Sequence, residues 1–280
     1  MTPTQGSAVT YKRAPIDAFE LPVRGLIVDM DGVLWRESTP IGDLPLIFSI
    51  LAGRGIRVSA VTNNATRSAD DYTKRLSGLG VRIDASQIIT SGEATALTLR
   101  DHFPQGGRVF VVGEKGLEQS ISGAGFEVVT DTGDTKSVVA VAACMDREFT
   151  YDKLRAAATH IRNGGVFFGT NPDPTFPTPG GLVPGSGSII TAIAAAAEQQ
   201  PTMIGKPSPL LFELAAKRMG MKKNDLLVVG DRLETDIAGG QAWGARTALV
   251  LSGVTSAEKA RAWRPRPDIV AADLTELVGA

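Results

Sequence analysis

The stretch of sequence that decides the fold is GLIVDMDGV, residues 25–33, in which an apolar run leads directly into two carboxylates. The run 25–29 predicts a buried strand, and residues i and i+2 of a strand point to the same side, so Asp29 and Asp31 can project together. Two carboxylates this close repel each other unless a cation or a proton lies between them. The pair therefore indicates a Mg²⁺ site or one raised pKa, although an Asp-rich turn and the DxD motif of sugar-nucleotide transferases fit the same letters.

Short apolar runs alternate with longer segments of helical periodicity along the whole chain, which is typical of a parallel α/β fold. Strands are predicted at 25–29, 58–62, 109–112, 138–142, 166–169, 226–229 and 247–251. Helices are predicted at 44–54, 68–79, 93–102, 116–124, 151–163, 189–198, 209–219 and 235–243. The Gly/Pro-rich stretch 171–187 is predicted to be an ordered loop, and loops of that length are usually functional.

The composition excludes several classes of protein. With 280 residues, of which 43% are hydrophobic, the chain can bury a substantial core. Its 29 basic and 30 acidic residues nearly cancel, so no strong field attracts nucleic acid or an anionic membrane. Cys144 is the one cysteine, so neither an intrachain disulfide nor a cysteine-based zinc site is expected. The histidines are His102 and His160 alone, which leaves carboxylate, Lys, Thr and Asn side chains to carry any catalysis.

Signal-peptide and membrane-spanning segments are not found in the sequence. Residues 1–20 lack the apolar run that follows the basic residues of a signal peptide. The longest uncharged window, 174–197, is interrupted by prolines and glycines and cannot form a spanning helix. We therefore expect a cytoplasmic protein that has no membrane or nucleic-acid partner.

The second predicted strand ends at Thr62, which is followed by Asn63. A hydroxyl and exposed backbone amides after a parallel strand can hold phosphate oxygens, and they can equally cap the following helix. Further on, Gly205-Lys206-Pro207 precedes a helix. It is not a Walker loop, because Pro207 stands where Ser or Thr is required, but Lys206 can bring a compact positive charge to a phosphate.

A later strand, 226–229, again leads into carboxylates, with Asp231 just after the strand and Asp236 five residues further on. Both could cap the next helix. However, the carboxyl ends of parallel strands meet at one edge of a sheet, and three such ends here carry the residue types that metal-assisted phosphoryl transfer needs. The coincidence favours that chemistry over isolated caps.

Taken in order, four motifs resemble those of the haloacid dehalogenase (HAD) superfamily. They are Asp29-x-Asp31-Gly32-Val33, Thr62-Asn63-Asn64, Gly205-Lys206-Pro207 and Gly230-Asp231-x4-Asp236. Similarity at 111–117, at Asp146 with 149–151, and at 171–187 indicates the NagD-like branch (subfamily IIA), which includes p-nitrophenylphosphatases, phosphoglycolate phosphatases and pyridoxal phosphatases. The resemblance covers nearly everything from Gly25 to the end.

The spacing of the motifs predicts the domain organisation. Only 31 residues separate Asp31 from Thr62, barely enough for one helical crossover, whereas 144 residues separate Thr62 from Lys206. An additional domain must lie in the later gap, where the resemblance implies a larger α/β cap inserted into a Rossmann-like parallel-sheet HAD core. We expect a flexible tail at 1–21, the core at 22–105 and 202–280, and the cap at 106–201.

The resemblance also implies a role for each motif residue. Asp29 would be the nucleophile that forms an aspartyl-phosphate, and Asp31 the acid that protonates the leaving group and then activates water. The cofactor would be Mg²⁺, and its implied ligands are Asp29, the Asp31 carbonyl and Asp231. Asp236 would orient these ligands rather than bind the metal directly. The implied phosphate-binding residues are Thr62, Asn63 and Lys206.

The function implied is that of a Mg²⁺-dependent phosphatase acting on a small phosphorylated metabolite. Asp31 stands where dehalogenases lack an acid and ATPases carry Thr, which favours phosphate-ester hydrolysis or phosphomutase action, and the cap position favours hydrolysis because similar sugar phosphomutases carry their cap in the earlier gap. Candidate substrates are p-nitrophenyl phosphate, phosphoglycolate, pyridoxal phosphate, and sugar or nucleoside phosphates. A phosphomutase and a catalytically silent phosphate-binding regulatory protein are the alternatives. Similar enzymes are often dimers, which implies a homodimer.

Substrate choice should depend on the cap, since the core residues touch only phosphate and metal. The resemblance points to cap residues Met145, Asp146, Asn171, Asp173 and Phe176, and to Asn64 and Arg67 beside the phosphate-binding turn. Phe176 offers an apolar surface for a planar or apolar substrate, or it packs within its loop. Trp35, near the first motif, is expected to pack in the core or at a hinge.

Overall fold

The structure, a computed structural model, describes residues 14–178 and 180–280. The first segment begins with a short 3-10 helix, Pro15–Ala18. Its further elements are β1 (Gly25–Asp29), β2 (Trp35–Arg36), β3 (Thr39–Pro40), α1 (Leu44–Gly53), β4 (Arg57–Thr62), α2 (Ala69–Gly78), β5 (Ile88–Thr90) and α3 (Ser91–His102).

The middle segment alternates strands and helices in the same way. Its elements are β6 (Arg108–Val112), α4 (Lys115–Gly123), β7 (Glu127–Val129), β8 (Ala140–Ala143), α5 (Tyr151–Arg162), β9 (Val166–Gly169), β10 (Thr175–Thr178), β11 (Gly181–Pro184), α6 (Ser186–Ala197) and β12 (Thr202–Met203). The last segment contains α7 (Leu210–Met219), β13 (Leu226–Gly230), a π-helix (Leu233–Ile237), α8 (Ala238–Trp243), β14 (Arg246–Val250), α9 (Ala257–Ala262), β15 (Ile269–Ala271) and α10 (Leu274–Val278).

Two parallel sheets organise the chain. The core sheet has the strand order β15-β14-β13-β1-β4-β5, and the second sheet has the order β12-β9-β8-β6-β7. The second sheet lies between β5 and β13 in the sequence, as predicted for an inserted cap. The predicted α/β architecture is therefore confirmed. In the core sheet β1 pairs with β4 on one side and β13 on the other, so the carboxyl ends of all three strands open onto one crevice.

The first four residues of β1, Gly25 to Val28, are apolar because both faces of the strand are covered. Leu26 and Val28 belong to one buried cluster, and Ile27, between them, belongs to the cluster on the opposite face, which includes Leu211 of α7. Burial of each such side chain contributes about 1.5–3 kcal/mol. The sheet therefore holds Asp29, the last residue of β1, on a rigid support.

Every predicted strand and helix overlaps an observed element, and the differences concern short or irregular segments. Strands β5, β7, β12 and β15 are too short to show a period in the sequence. The predicted loop 171–187 contains the antiparallel hairpin β10–β11, and α6 begins within it. The helix predicted at 235–243 begins earlier, as the π-helix.

Two boundaries also differ from the prediction. Thr202 and Met203, expected in the core, pair with β9 of the second sheet. Ile16 is 3% exposed and belongs to the core cluster, because its apolar side chain packs against the core and is thereby removed from water. The predicted flexible tail thus does not extend to Pro15–Ala18, and residues 1–13 lie outside the described part. Among the described helices, none has both the length and the apolar character needed to span a membrane.

Candidate active site

A buried lysine joins two carboxylates at the carboxyl end of the core sheet. Lys206, in the loop between β12 and α7, places its Nζ atom 2.5 Å from Oδ1 of Asp29 and 2.6 Å from Oδ1 of Asp236. Lys206 is only 2% exposed. Burial alone would lower the pKa of its ammonium group, but the charges of Asp236 and Asp29 raise that pKa above its ordinary value. The lysine is therefore a permanent cation beside Asp29.

Asp231, directly after β13, completes the group of buried carboxylates. Its Oδ2 accepts a hydrogen bond from the backbone N–H of Val254 at 2.7 Å, whereas its buried Oδ1 has no hydrogen-bond partner. Neighbouring backbone approaches this side chain closely. A Cβ atom on Gly253 would lie 1.8 Å from Oδ2 of Asp231, and one on Gly32 would lie 2.5 Å away. Gly32 also has a φ of +85°, so both the close contact and the turn require glycine there.

Burial and neighbouring carboxylates raise the pKa of Asp29 and that of Asp231. Burial, with the charges of Asp236 and Asp231 added, raises the pKa of Asp29 well above its ordinary value, although the Lys206 charge opposes the rise. Burial and the charge of Asp236 raise the pKa of Asp231 to about 7. Protein groups thus compensate only part of the negative charge of Asp29 and Asp231.

The residues present fit a divalent cation. Asp29, Asp231 and Asp236 each offer a carboxylate oxygen, and these oxygens lie within 4.8 Å of one another. The unpartnered Oδ1 of Asp231 is a buried acceptor of the kind that a cation would satisfy. Hard oxygen ligands are those that Mg²⁺ prefers. Asp236 is also held by Lys206 and by the backbone N–H of Arg232, which suits the supporting position predicted for it.

Asn63 joins the second and third motifs. Its Oδ1 accepts from the backbone N–H of Lys206 at 2.7 Å, and its Nδ2 donates to the Lys206 carbonyl at 3.0 Å and to Oδ2 of Asp173 at 3.2 Å. The Asn63 carbonyl accepts from Ser91 Oγ and from Nδ2 of Asn171. Asn63 thereby ties the turn after β4 to the loop that carries Lys206 and to the segment that follows β9.

Thr62 and Asn64 shape the turn after β4. Thr62, at the end of the strand, is 2% exposed, and its Oγ1 accepts from the backbone N–H of Asn64. Oδ1 of Asn64 accepts from the backbone N–H and the hydroxyl of Thr66, which forms a local Asx turn. The Asn64 side chain therefore serves the turn itself, and both residues line the cavity described next.

A cavity of about 970 Å³ opens between the core and the second sheet, and Asp29, Lys206 and Asp231 form its floor. Its wall includes the predicted residues Asp29, Asp31, Thr62, Asn63, Asn64, Arg67, Met145, Asn171, Asp173, Phe176, Lys206 and Asp231. Asn171 is 4% exposed, and its Nδ2 donates hydrogen bonds to the Asn63 carbonyl and to Ser186 Oγ. These contacts within the protein stabilise the local structure. Arg67 is exposed at the rim.

Asp146 differs from the expectation that it contacts substrate. Its Oδ2 forms an ion pair with Lys153 at 2.7 Å, its Oδ1 accepts from the backbone N–H of Glu148, and it is not among the residues that line the cavity. A buried carboxylate needs such partners. Asp146 therefore stabilises the turn before α5.

Several cavity residues were not identified from the sequence. On the core side they are Trp35, Tyr72, Arg75 and Arg232, and on the cap side Glu114, Arg147 and Ser186. Arg147 forms an ion pair with Glu114 at 2.6 Å on the cap side of the cavity. None of these side chains is one of the defining residues of the four motifs, even where it lies beside them, so the sequence did not single them out as site residues.

Comparison with known proteins supports one family. Residues 26–127 match the model of haloacid dehalogenase-like hydrolases, and residues 203–277 match a second HAD hydrolase-like model. The chain is 35% identical over 253 residues to the chloroplastic phosphoglycolate phosphatase 1A of Arabidopsis thaliana, an alignment that covers 84% of this chain and 70% of that protein.

Solved structures of similar fold are also phosphatases. The p-nitrophenyl phosphatase from Archaeoglobus fulgidus has a TM-score of 0.85 and 32% identity, covering 92% of this chain and 98% of its own. The glycerol phosphate phosphatase from Mycobacterium tuberculosis, in complex with magnesium, has a TM-score of 0.82 and 34% identity, covering 91% and 76%. Both alignments span the core and the second sheet.

Proposed function

The chain is a phosphatase that belongs to the NagD-like branch of the haloacid dehalogenase superfamily, and we propose that it hydrolyses phosphate monoesters of small metabolites with the help of Mg²⁺. The observation that carries the proposal is the contact between Lys206 and Asp29, 2.5 Å long, beside the unpartnered oxygen of Asp231. A carboxylate, a cation and an open acceptor on the floor of one cavity are the parts that phosphoryl transfer requires.

In the first step, an oxygen of Asp29 attacks phosphorus while the bond to the leaving oxygen breaks. The product is an aspartyl-phosphate and an alcohol, and the alcohol takes its proton from Asp31. In the second step Asp31 removes a proton from water, whose oxygen attacks phosphorus and releases Asp29. Covalent catalysis divides one difficult displacement into two easier ones.

Charge on the transferred phosphoryl group is matched by fixed donors. Lys206 carries a positive charge next to the nucleophile, and its backbone is held by two hydrogen bonds, one that its N–H donates to Asn63 Oδ1 and one that its carbonyl accepts from Asn63 Nδ2. Thr62 lies at the end of the neighbouring strand and lines the same cavity. Such donors need no rearrangement when the charge develops.

Mg²⁺ would be held by Asp29, by the Asp31 carbonyl and by Asp231, with Asp236 behind them. When bound, it would supply positive charge that polarises the phosphoryl group and compensates the buried carboxylates. Burial and neighbouring carboxylates raise the pKa of Asp29 and of Asp231 although the Lys206 charge opposes the rise, so Lys206 compensates this negative charge only in part. This supports the metal site on the residues alone.

The cavity limits the size and the chemical character of the substrate. Its volume of about 970 Å³ is within the range of sites that bind small molecules and is large enough for a phosphorylated metabolite. Phe176 and Met145 provide apolar wall on the cap side, and Arg67 and Arg232 provide positive charge. Candidates are p-nitrophenyl phosphate, phosphoglycolate, pyridoxal phosphate, and sugar or nucleoside phosphates.

Phosphate release from this panel, with Mg²⁺ and with EDTA, tests the proposal. We expect release that depends on Mg²⁺ and is abolished by Asp29→Asn, because the amide cannot attack phosphorus. After a brief incubation with substrate and an acid quench, phosphate should remain covalently bound to the protein. This bound phosphate should be absent in Asp29→Asn. Release without metal, or undiminished release by the variant, would contradict the mechanism.

A further inference from the structure

Trp35 holds the carboxyl group of Asp31. The indole Nε1–H donates to Oδ1 of Asp31 at 2.9 Å, and the indole is fully buried. The backbone reinforces the contact, because the N–H of Gly32 donates to the Trp35 carbonyl at 2.7 Å. The turn after β1 therefore folds back and fixes the indole relative to Asp31 through both main chain and side chain.

Helix α2 holds the indole from outside. The ring of Tyr72 lies parallel to it, with an angle of 7° between the planes and 6.3 Å between the centroids. The guanidinium carbon of Arg75 lies 3.9 Å from the centroid of the Trp35 ring, and Arg75 also donates to the carbonyl of Glu37 at the tip of the β2–β3 hairpin. With these contacts the indole cannot turn away from Asp31.

We propose that Trp35 is a positioning residue that orients Asp31 for proton transfer to the leaving group, with Arg75 locking the indole in place. The inference rests on the proposed function, in which Asp31 is the acid. A carboxyl group can rotate about two side-chain bonds, and fixing one oxygen directs the other. Since an indole N–H only donates, it cannot exchange a proton with Asp31 and leaves the acid role intact.

This arrangement predicts a specific effect of the leaving group. An alkyl alcohol needs a proton as it departs, whereas nitrophenolate does not. In the first step, which determines kcat/KM, only alkyl esters should therefore depend on the orientation of Asp31, whereas its later action on water is common to all substrates. For Trp35→Phe we expect kcat/KM for an alkyl phosphate such as glycerol phosphate to fall by about tenfold or more, and that for p-nitrophenyl phosphate by less than about threefold. Arg75→Met should change the same ratio in the same direction by a smaller factor.

Two controls separate positioning from packing. Trp243 also stacks on an aromatic ring, that of Phe212 at 5.9 Å, and it is outside the cavity wall, so Trp243→Phe should leave the ratio of the two substrates unchanged. In an Asp31→Asn background, Trp35→Phe should have no additional effect on the ratio. An equal loss on both substrates in Trp35→Phe, or an additional loss in the Asp31→Asn background, would overturn the inference.

An NMR measurement tests the contact without relying on activity. The indole N–H signal of Trp35 can be assigned among the three tryptophans by its absence in Trp35→Phe, or, if that variant does not fold, by its shift in Arg75→Met. We expect Asp31→Asn to move this signal more than those of Trp243 and Trp263. An unmoved signal overturns the inference and leaves the proposed function standing, whereas a wild-type protein without Mg²⁺-dependent phosphate release overturns both.

Discussion

The ammonium group of Lys206 lies 2.5 Å from Oδ1 of Asp29, and both side chains are buried. The same ammonium group is 2.6 Å from Asp236. One lysine therefore compensates two carboxylates in the absence of metal, and it remains beside Asp29 to meet the charge of a phosphate. Its structural and chemical roles are coupled, which leads to the first prediction.

Lys206→Met should destabilise the metal-free protein and impair turnover. Loss of the cation leaves buried carboxylates without a partner, and we expect a loss of about 3 kcal/mol in the free energy of unfolding at pH 8 in EDTA. The loss should be smaller at pH 5, where protons can neutralise the carboxylates. We also expect kcat/KM to fall by at least about 100-fold. Urea unfolding and steady-state kinetics measure both, with exposed Lys217→Met as the matched control.

Asp231 should make the metal-free protein less stable as the pH rises. Burial and Asp236 raise its pKa from 3.8 to about 7 in the folded state. Between these values the folded state binds a proton that the unfolded state has lost, so the free energy of unfolding falls with increasing pH. We expect a fall on the order of 2 to 4 kcal/mol between pH 4 and pH 8, measured by urea unfolding in EDTA.

Mg²⁺ and Asp231→Asn supply the two checks on this prediction. Mg²⁺ should restore stability at pH 8, because it replaces the proton as the compensating charge. Asp231→Asn should flatten the decline with pH, since the amide does not titrate. A decline of the same size in the variant would assign the effect to other groups.

Asn63→Ala should weaken both the fold and catalysis. The substitution removes the acceptor for the Lys206 N–H and the donor to Asp173. An unsatisfied buried backbone group costs about 1–3 kcal/mol, and misplacement of Lys206 should lower kcat/KM by about tenfold or more. Thermal unfolding and kinetics check these effects. Asn224→Ala, at an exposed position, should change neither quantity. Wild-type values for Asn63→Ala would show that the hydrogen bonds of Asn63 to Lys206 and Asp173 are dispensable.

Phe176→Ala should alter the choice of substrate without altering the chemistry. Phe176 lines the cavity on hairpin β10–β11. If it packs against a planar leaving group, the KM for p-nitrophenyl phosphate should rise by about tenfold, whereas the KM for phosphoglycolate should change by less than about twofold. Leu182→Ala, on the same hairpin and 72% exposed, is the control. Equal changes for both substrates would mean that Phe176 only packs within its hairpin.

Local sequence was sufficient for the four central strands of the core sheet, β14, β13, β1 and β4, and for the residues on the floor of the cavity. Strand β1 is apolar because both faces are covered, and its last residue, Asp29, must lie at the carboxyl edge with Thr62 and Asp231. The motifs are local, and parallel strands bring their ends together whatever the details of packing. The same order of motifs and the long gap before Lys206 predicted an inserted second sheet.

Tertiary structure alone decided which side chains form the walls of the cavity. Trp35 reads as core packing in the sequence, yet its indole contacts Asp31. Arg75 belongs to no motif in the sequence, yet it covers that indole. Asp146 resembles a cap contact, yet Lys153 engages it. Such contacts depend on the directions in which separate elements approach each other, and no pattern along the chain encodes those directions.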